Sequence, residues 1–199
     1  MKGVSELFSA SEEVMPSSAG TFIPCRERMS IFIDYDNLIR SFKESISGIR
    51  GALIDFREMK SLLLGDCVLA EAKVYSGFVN GYRLPSGLKA LNDIGFMSCL
   101  EELVNGHQKG VDMCMGLDAA ECAMGDACDT VMLVTGDADY VPVVRRIKAS
   151  GKRAIVASFR TTLSNRLKDE ADEVVILDGL RMIDTWGIRG IELKKCLEV

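Results

Sequence analysis

Short apolar runs and amphipathic stretches alternate along most of this chain. Six apolar runs, rich in β-branched residues, predict strands that are covered on both faces, at 30–34, 69–75, 95–100, 130–134, 153–157 and 173–177. The segments between them have helical spacing of apolar residues, which predicts helices at 36–46, 56–64, 86–94, 111–125, 139–150 and 162–170. Such regular alternation implies right-handed crossovers between parallel strands. The pattern therefore predicts an α/β protein, a three-layer α/β/α sandwich with a mostly parallel central sheet.

Length and composition indicate one globular domain with an extension at each end. The chain has 199 residues, of which 48% are hydrophobic. We place an N-terminal extension at 1–28, the domain at 29–178 and a C-terminal tail at 179–199. No apolar stretch approaches the ~20 residues that span a bilayer, and no secretion signal is recognisable. We expect a cytoplasmic protein without membrane contact, and a homodimer is left open.

Four aspartates stand where a predicted strand ends or a predicted helix begins. Asp34 closes the first apolar run, Asp137 and Asp139 follow the run that ends at 134, and Asp112 opens a helical stretch. In a parallel sheet the strand ends meet at the edge where α/β proteins bind ligands. Two like charges about 4 Å apart repel by about 4 kcal/mol at an effective dielectric of roughly 20. Such a cluster requires a proton or a divalent cation, which predicts a metal site.

The overall charge gives no electrostatic reason for this chain to bind nucleic acid, because the net charge is −5. A local patch would have to supply one. Eight basic residues crowd one predicted helix, the turn after it and the segment after the next strand: Arg145, Arg146, Lys148, Lys152, Arg153, Arg160, Arg166 and Lys168. Their spacing alone favours the simpler interpretation of a solvated helix face.

Four segments between about 30 and 178 carry the most distinctive motifs: IFIDYDNL, KGVDMCMGLDAAECA, VTGDADYVPVVRRIKASGKRAIVAS and SNRLKDEADEVVIL. In this order they resemble the NYN domains of the LabA-like type, which belong to the PIN-like nuclease superfamily. The resemblance implies a PIN-like (Rossmann-like) sandwich whose acidic pocket binds Mg²⁺ or Mn²⁺ and, in active members, cleaves RNA. It implies that Asp34, Asp112, Asp137 and Asp139 bind the metal, with Asn37 as a polar neighbour of the first carboxylate.

The segment after Asp34 departs from that family pattern. Tyr35-Asp36 stands where the family often has glycine followed by a variable acidic or polar residue. We expect Tyr35 to add bulk near the pocket, which would affect substrate access rather than metal binding. The spacing Asp34-Tyr35-Asp36 is also that of an aspartyl nucleophile in a DxD arrangement, so a metal-dependent phosphatase is a minor alternative.

Four other polar residues have weaker claims on the pocket: Asp36, Lys109, Asp118 and Ser164. Asp36, like Asp139, precedes a helical stretch and would serve equally as a helix cap or first-turn acid. Asp118 lies about 120° around the helix from Asp112, which favours a supporting or structural role. Lys109 would contact phosphate or pair with an aspartate, unless it is simply exposed. Ser164 is either a helix cap or a substrate contact.

The expected chemistry follows from the residue types. Hydrolysis of a phosphodiester needs an activated water and stabilisation of negative charge, and cations held by carboxylates supply both. His107 is the single histidine, so a two-histidine mechanism is excluded by count. No cysteine lies in an activating context. We therefore predict a metal-dependent ribonuclease, with a non-catalytic RNA-binding or regulatory module as the alternative that the acidic composition favours.

Overall fold

The computed structural model describes residues 26–46, 51–79, 83, 85–103, 109–184 and 191–192. Within these ranges the strands are β1 (Arg28–Asp34), β2 (Ala52–Ile54), β3 (Val68–Phe78), β4 (Met97–Glu102), β5 (Thr130–Val134), β6 (Arg153–Ser158), β7 (Glu173–Ile176), β8 (Arg181–Asp184) and β9 (Ile191–Glu192). The α-helices are α1 (Tyr35–Ser45), α2 (Phe56–Leu64), α3 (Ser86–Asp93), α4 (Lys109–Met124), α5 (Val141–Ala149) and α6 (Asn165–Glu170).

The main sheet has six strands in the order β4-β3-β1-β5-β6-β7, and every neighbouring pair is parallel. This arrangement confirms the predicted α/β fold. All six predicted strands are present, and each predicted helix has its counterpart, although α5 begins only after a 3-10 turn at Ala138–Tyr140. No helix in the described ranges is both long and apolar enough to cross a membrane.

Alternation along the strands divides the core into two layers. Ile31 and Ile33 of β1 pack with α1, α2 and α3 on one face of the sheet, in a cluster that includes Leu38 and Met59. Phe32 points to the opposite face, where the cluster contains residues of α4, α5 and α6. Successive side chains of a strand point to opposite faces, so buried apolar residues at consecutive positions place helices on both sides.

A second, antiparallel sheet was not predicted. It contains β2, β8 and β9, and β8 belongs to the segment that we assigned to the C-terminal tail. Leu180 and Met182 are buried in the same core layer as α1 and α2, whereas Leu53 and Ile183 pair on the exposed face. Strands this short give too few alternating positions for a pattern to emerge.

We expect Met182→Ala to lower the free energy of unfolding by about 2–4 kcal/mol, because its side chain is 1% exposed and leaves a cavity when truncated. Ile183→Ala is the matched control in the same strand, since Ile183 is 37% exposed, and it should cost under about 1 kcal/mol. Urea unfolding of both variants measures the difference. Equal small losses would show that β8 is not part of the cooperative domain.

Candidate active site

Two neighbouring strands bring the first carboxylates to one edge of the sheet. Asp34 is the last residue of β1 and the N-cap of α1; its Oδ1 accepts a hydrogen bond from the backbone amide of Asn37 at 2.9 Å. β5 pairs with β1 and is followed by Asp137, whose Oδ1 accepts the amide of Asp139 at 3.0 Å. The parallel pairing therefore places both strand ends, and the aspartates that follow them, at the same edge of the sheet.

The side chain of Asn37 joins these two strand ends. Its Oδ1 accepts the backbone amide of Gly136 at 3.1 Å and the hydroxyl of Ser41 at 3.4 Å. Gly136 is tightly enclosed, because a Cβ there would lie 2.5 Å from the carbonyl oxygen of Thr162 and 2.8 Å from Oγ of Ser158. The turn before Asp137 therefore requires glycine for close packing, and Asn37 fixes its position relative to α1.

Asp112 reaches the same region from α4. The hydroxyl of Tyr140, which is buried, donates a hydrogen bond to Oδ1 of Asp112 at 3.3 Å. Burial raises the pKa of the Tyr140 phenol, and the charges of Asp34 and Asp112 raise it further. The phenol therefore remains a hydrogen-bond donor. Sequence reasoning missed this role, although the position of Tyr140 directly after Asp139 was the available signal.

Electrostatics link all four aspartates. Burial raises the pKa of Asp34 to about 7, and the charges of Asp112 and Asp36 add to that rise, against the lowering by the Asn37 amide. The pKa of Asp112 is also raised, first by burial and then by Asp137 and Asp139, against the hydrogen bond from Tyr140. Each carboxylate therefore lies within the field of others, although only Asp34 is deeply buried, at 5% exposed.

Arg40 is a second residue that sequence reasoning missed. It lies on α1, one helical turn after Asp36, and its side chain is exposed. Its positive charge lowers the pKa of both Asp34 and Asp112, in opposition to the larger effect of burial. A cation therefore stands close to the carboxylates without forming an ion pair with either of them in the described structure.

The remaining predicted acids make other contacts. Asp36 accepts hydrogen bonds from the hydroxyl of Ser76 and the amide of Gly77, both at 3.2 Å, so its carboxylate is held by β3. Asp118 accepts from the hydroxyl of Tyr75 at 2.6 Å and from Nζ of Lys73 at 3.2 Å. Both carboxylates are therefore held by residues of β3.

Ser164 occupies the N-cap position of α6, but its side chain makes no capping hydrogen bond. Its backbone amide donates to the carbonyl oxygen of Gly136 at 2.9 Å, so it supports the turn before Asp137. The side chain of Lys109 and all of His107 lie outside the described residues.

Tyr35 does not add the bulk near the pocket that the sequence led us to expect. Its ring is buried in the core layer of α1, α2 and α3. Gly87 of α3 faces its hydroxyl so closely that a Cβ there would lie 2.4 Å from Oη. The bulk of Tyr35 is therefore accommodated by a glycine in the core.

The donor set suits a hard cation that keeps most of its water. Among the described residues, no three His, Cys, Asp or Glu side chains are placed to ligate one ion together. Zn²⁺ sites need three or four direct protein ligands, which this arrangement does not offer. Mg²⁺ retains several waters and is typically held by one or two carboxylates plus substrate phosphate. Neighbouring carboxylates that interact through their charges therefore fit Mg²⁺ or Mn²⁺.

Known proteins resemble this chain in sequence and in fold. The sequence profile of the NYN domain matches residues 28–178. An uncharacterized protein of Methanocaldococcus jannaschii is 30% identical over 173 residues, which cover 86% of this chain but only 64% of that protein's length. The crystal structure of a protein of unknown function from Vibrio parahaemolyticus has a TM-score of 0.68 and 26% identity, and the match covers 78% of this chain and 95% of that chain.

We expect Asp34→Asn to stabilise the metal-free protein at about pH 8 and to change it little at about pH 3, below both pKa values of Asp34. The pKa of Asp34 rises from 3.8 to about 7 on folding, so the folded state holds a proton that the unfolded chain has released. The contribution of Asp34 to stability therefore falls as pH rises between these values. Asparagine removes the buried charge and keeps an oxygen that can accept the Asn37 amide.

Thermal unfolding in chelator measures this effect, and we expect a gain of about 5 °C at the higher pH. Asp169→Asn is the control, because Asp169 is exposed on α6. A lower midpoint for Asp34→Asn at the higher pH would contradict the assignment of a destabilising buried charge.

Proposed function

Because the chain belongs to the NYN domain family, we propose that it is a metal-dependent ribonuclease of the LabA-like type that hydrolyses RNA in the cytoplasm. The observation that carries this proposal is the buried carboxylate of Asp34, whose pKa is raised to about 7 by burial and by its acidic neighbours. Folding raises the pKa of this carboxyl group, and the group lies at the ligand-binding edge of an α/β sheet. Both properties are typical of a functional site.

Asp34, Asp112, Asp137 and Asp139 are the candidate ligands, of which one or two at a time would hold Mg²⁺ or Mn²⁺, with water and substrate phosphate as its other ligands. When bound, the cation supplies an activated water and stabilises negative charge on the phosphate and the leaving oxygen. The Asn37 amide and the Tyr140 hydroxyl hold Asp34 and Asp112 in fixed orientations. These hydrogen bonds favour the ionised carboxylates, which are the forms that bind a cation.

Arg40 would contact a phosphate of the RNA. Its guanidinium is exposed, and its charge reaches both Asp34 and Asp112. A planar guanidinium can donate two parallel hydrogen bonds to phosphate oxygens. The positive charge also offsets the repulsion between the acidic edge and a polyanionic substrate.

A non-catalytic RNA-binding or regulatory module is the second candidate function. The observation that favours it is the state of the basic residues around α5 and α6, several of which are engaged with acids. Arg145 lies 2.8 Å from Glu170, and Lys148 lies 3.0 Å from Asp172. Such pairs leave less positive charge for binding RNA than the sequence alone indicates.

The contacts of Asp36 weigh against the phosphatase alternative. In a DxD mechanism the second aspartate would have to act beside the nucleophile. Here the carboxylate of Asp36 is hydrogen-bonded to Ser76 and Gly77 at the end of β3. The motif is therefore better explained as one candidate metal ligand followed by a residue that joins α1 to β3.

We expect the purified protein to cleave a fluorescently labelled, mixed-sequence RNA with Mg²⁺ or Mn²⁺ and not with chelator. Asp34→Asn and Asp137→Asn should each lower the rate by at least about 100-fold, because each removes a charged candidate ligand. Asp169→Asn is the matched control and should leave the rate unchanged. RNA binding without cleavage by the wild type would favour the regulatory module, and cleavage that survives both active-site variants would indicate a contaminant.

We expect Arg40→Gln to weaken RNA binding in chelator by about tenfold, and less at high salt, because a charge-assisted contact to phosphate is lost. Lys43→Gln is the control, since Lys43 is exposed in the last turn of the same helix. Fluorescence anisotropy in the absence of metal separates this effect from any change in metal affinity. Equal losses of affinity for both variants would show that Arg40 acts only as one of several surface charges.

A further inference from the structure

An apolar groove runs along α4 and α5 and begins beside the carboxylates of Asp112 and Asp139. Its volume is about 570 Å³. Asp112 and Asp139 line one part of it. Arg146 on α5, which follows Asp139 by nearly two helical turns, lines another part. The groove therefore begins at two of the four candidate metal ligands and continues from the candidate active site.

A glycine in the middle of α4 forms this groove. Glycine destabilises a helix interior, so its presence there calls for a packing reason. A Cβ at Gly116 would lie 3.1 Å from a methyl group of Val143, so the glycine lets α5 approach α4 closely. Met113 and Leu117 stand beside it and are 64% and 62% exposed. The floor of the groove is therefore narrow, and solvent-exposed apolar side chains flank it.

The dimensions of the groove match a piece of a nucleic acid strand. From Asp112 to Ala120 its α4 side extends about 12 Å. The volume lies in the range of small-molecule sites. A stable protein partner would instead cover a broad area, roughly 800 Å² of each surface. Its lining is mostly apolar, which suits the flat face of a base.

The charge at Arg146 fits the same occupant. One guanidinium nitrogen lies 3.1 Å from the sulfur of Met124, so the side chain extends across apolar surface. Guanidinium groups in such positions stack on bases or contact the next phosphate of a strand. The cation at the aspartates would bind a phosphate, and the apolar lining would contact a base. The site therefore offers the polar and the apolar contacts that a nucleotide requires.

We propose that this groove binds one unpaired nucleobase of the RNA strand, next to the phosphate held at the carboxylates. This inference rests on the proposed ribonuclease function. A base paired in a duplex is stacked between its neighbours and cannot enter the groove. The groove residues thus determine specificity, whereas the aspartates perform the chemistry.

The test measures binding of short single-stranded RNAs to the full-length protein in chelator, by fluorescence anisotropy. One RNA carries every base, and in each of the others a single abasic ribose replaces one nucleotide. For the wild type we expect one or two positions at which loss of the base weakens binding by about tenfold. Leu117→Ser should weaken binding of the complete RNA by a similar factor and should not further weaken binding of the abasic RNA, because the two changes remove the same contact.

Met113→Ser is a second variant at an exposed position, where folding should tolerate the change, and it should behave in the same way. Leu62→Ser is the matched control, because Leu62 is 45% exposed on α2, across the sheet from the groove. It should leave both affinities unchanged. Circular dichroism of each variant confirms that the fold is intact.

Four outcomes would overturn the proposal. If the wild type binds and cleaves RNA but no abasic position and no groove variant matters, the groove is not a base site while the ribonuclease remains. If the wild type neither binds nor cleaves RNA, the proposed function fails as well. If duplex RNA competes as well as single strands, the groove does not hold an unpaired base. If Leu117→Ser converts a dimer to a monomer in sedimentation, the groove is an interface between copies of the chain.

Discussion

The desolvated charge of Asp34 is the constraint on which the arrangement of this sheet edge depends. A carboxylate that is 5% exposed loses most of its hydration, and the acids around it raise its free energy further. The Asn37 amide and the N-terminus of α1 offset part of that loss. They do not offset all of it, because the pKa remains near 7. A protein selected for stability alone would place an uncharged residue at this position.

Hydrogen bonds and close packing also fix the backbone around Asp34. The side chain of Asn37 accepts the Gly136 amide and so connects the end of β1 to the end of β5. Gly136 in turn is packed against Thr162 and Ser158, and its carbonyl accepts the amide of Ser164. Three segments distant in sequence are thereby locked together. This rigidity matters for the proposed metal site, because functional side chains must be held within a fraction of an ångström of their working geometry.

Most of the fold could be predicted because the strands of the main sheet are continuous apolar runs and the helices have clear periodicity. The second sheet could not, since β2 and β8 are too short to show alternation. At the site, the aspartates stand out from the sequence because charged residues interrupt apolar patterns. Tyr140 and Arg40 do not stand out, because their roles depend on which elements meet in space. Tyr35 misled for the same reason: its position in sequence does not show that Gly87 makes room for its ring.

The groove beside the carboxylates adds a second local departure from stability. Alanine at position 116 would favour the helix but would crowd Val143, so that α5 could not lie as close to α4. The buried charge at Asp34 and the glycine within α4 lie far apart in sequence, but both are linked to Asp112. The charge of Asp112 raises the pKa of Asp34, and Asp112 lines the groove together with Gly116. Natural sequences tend to depart from local stability rules where function requires it. Two such departures that meet at Asp112 support the proposed substrate site, because packing alone gives no reason for them to lie together.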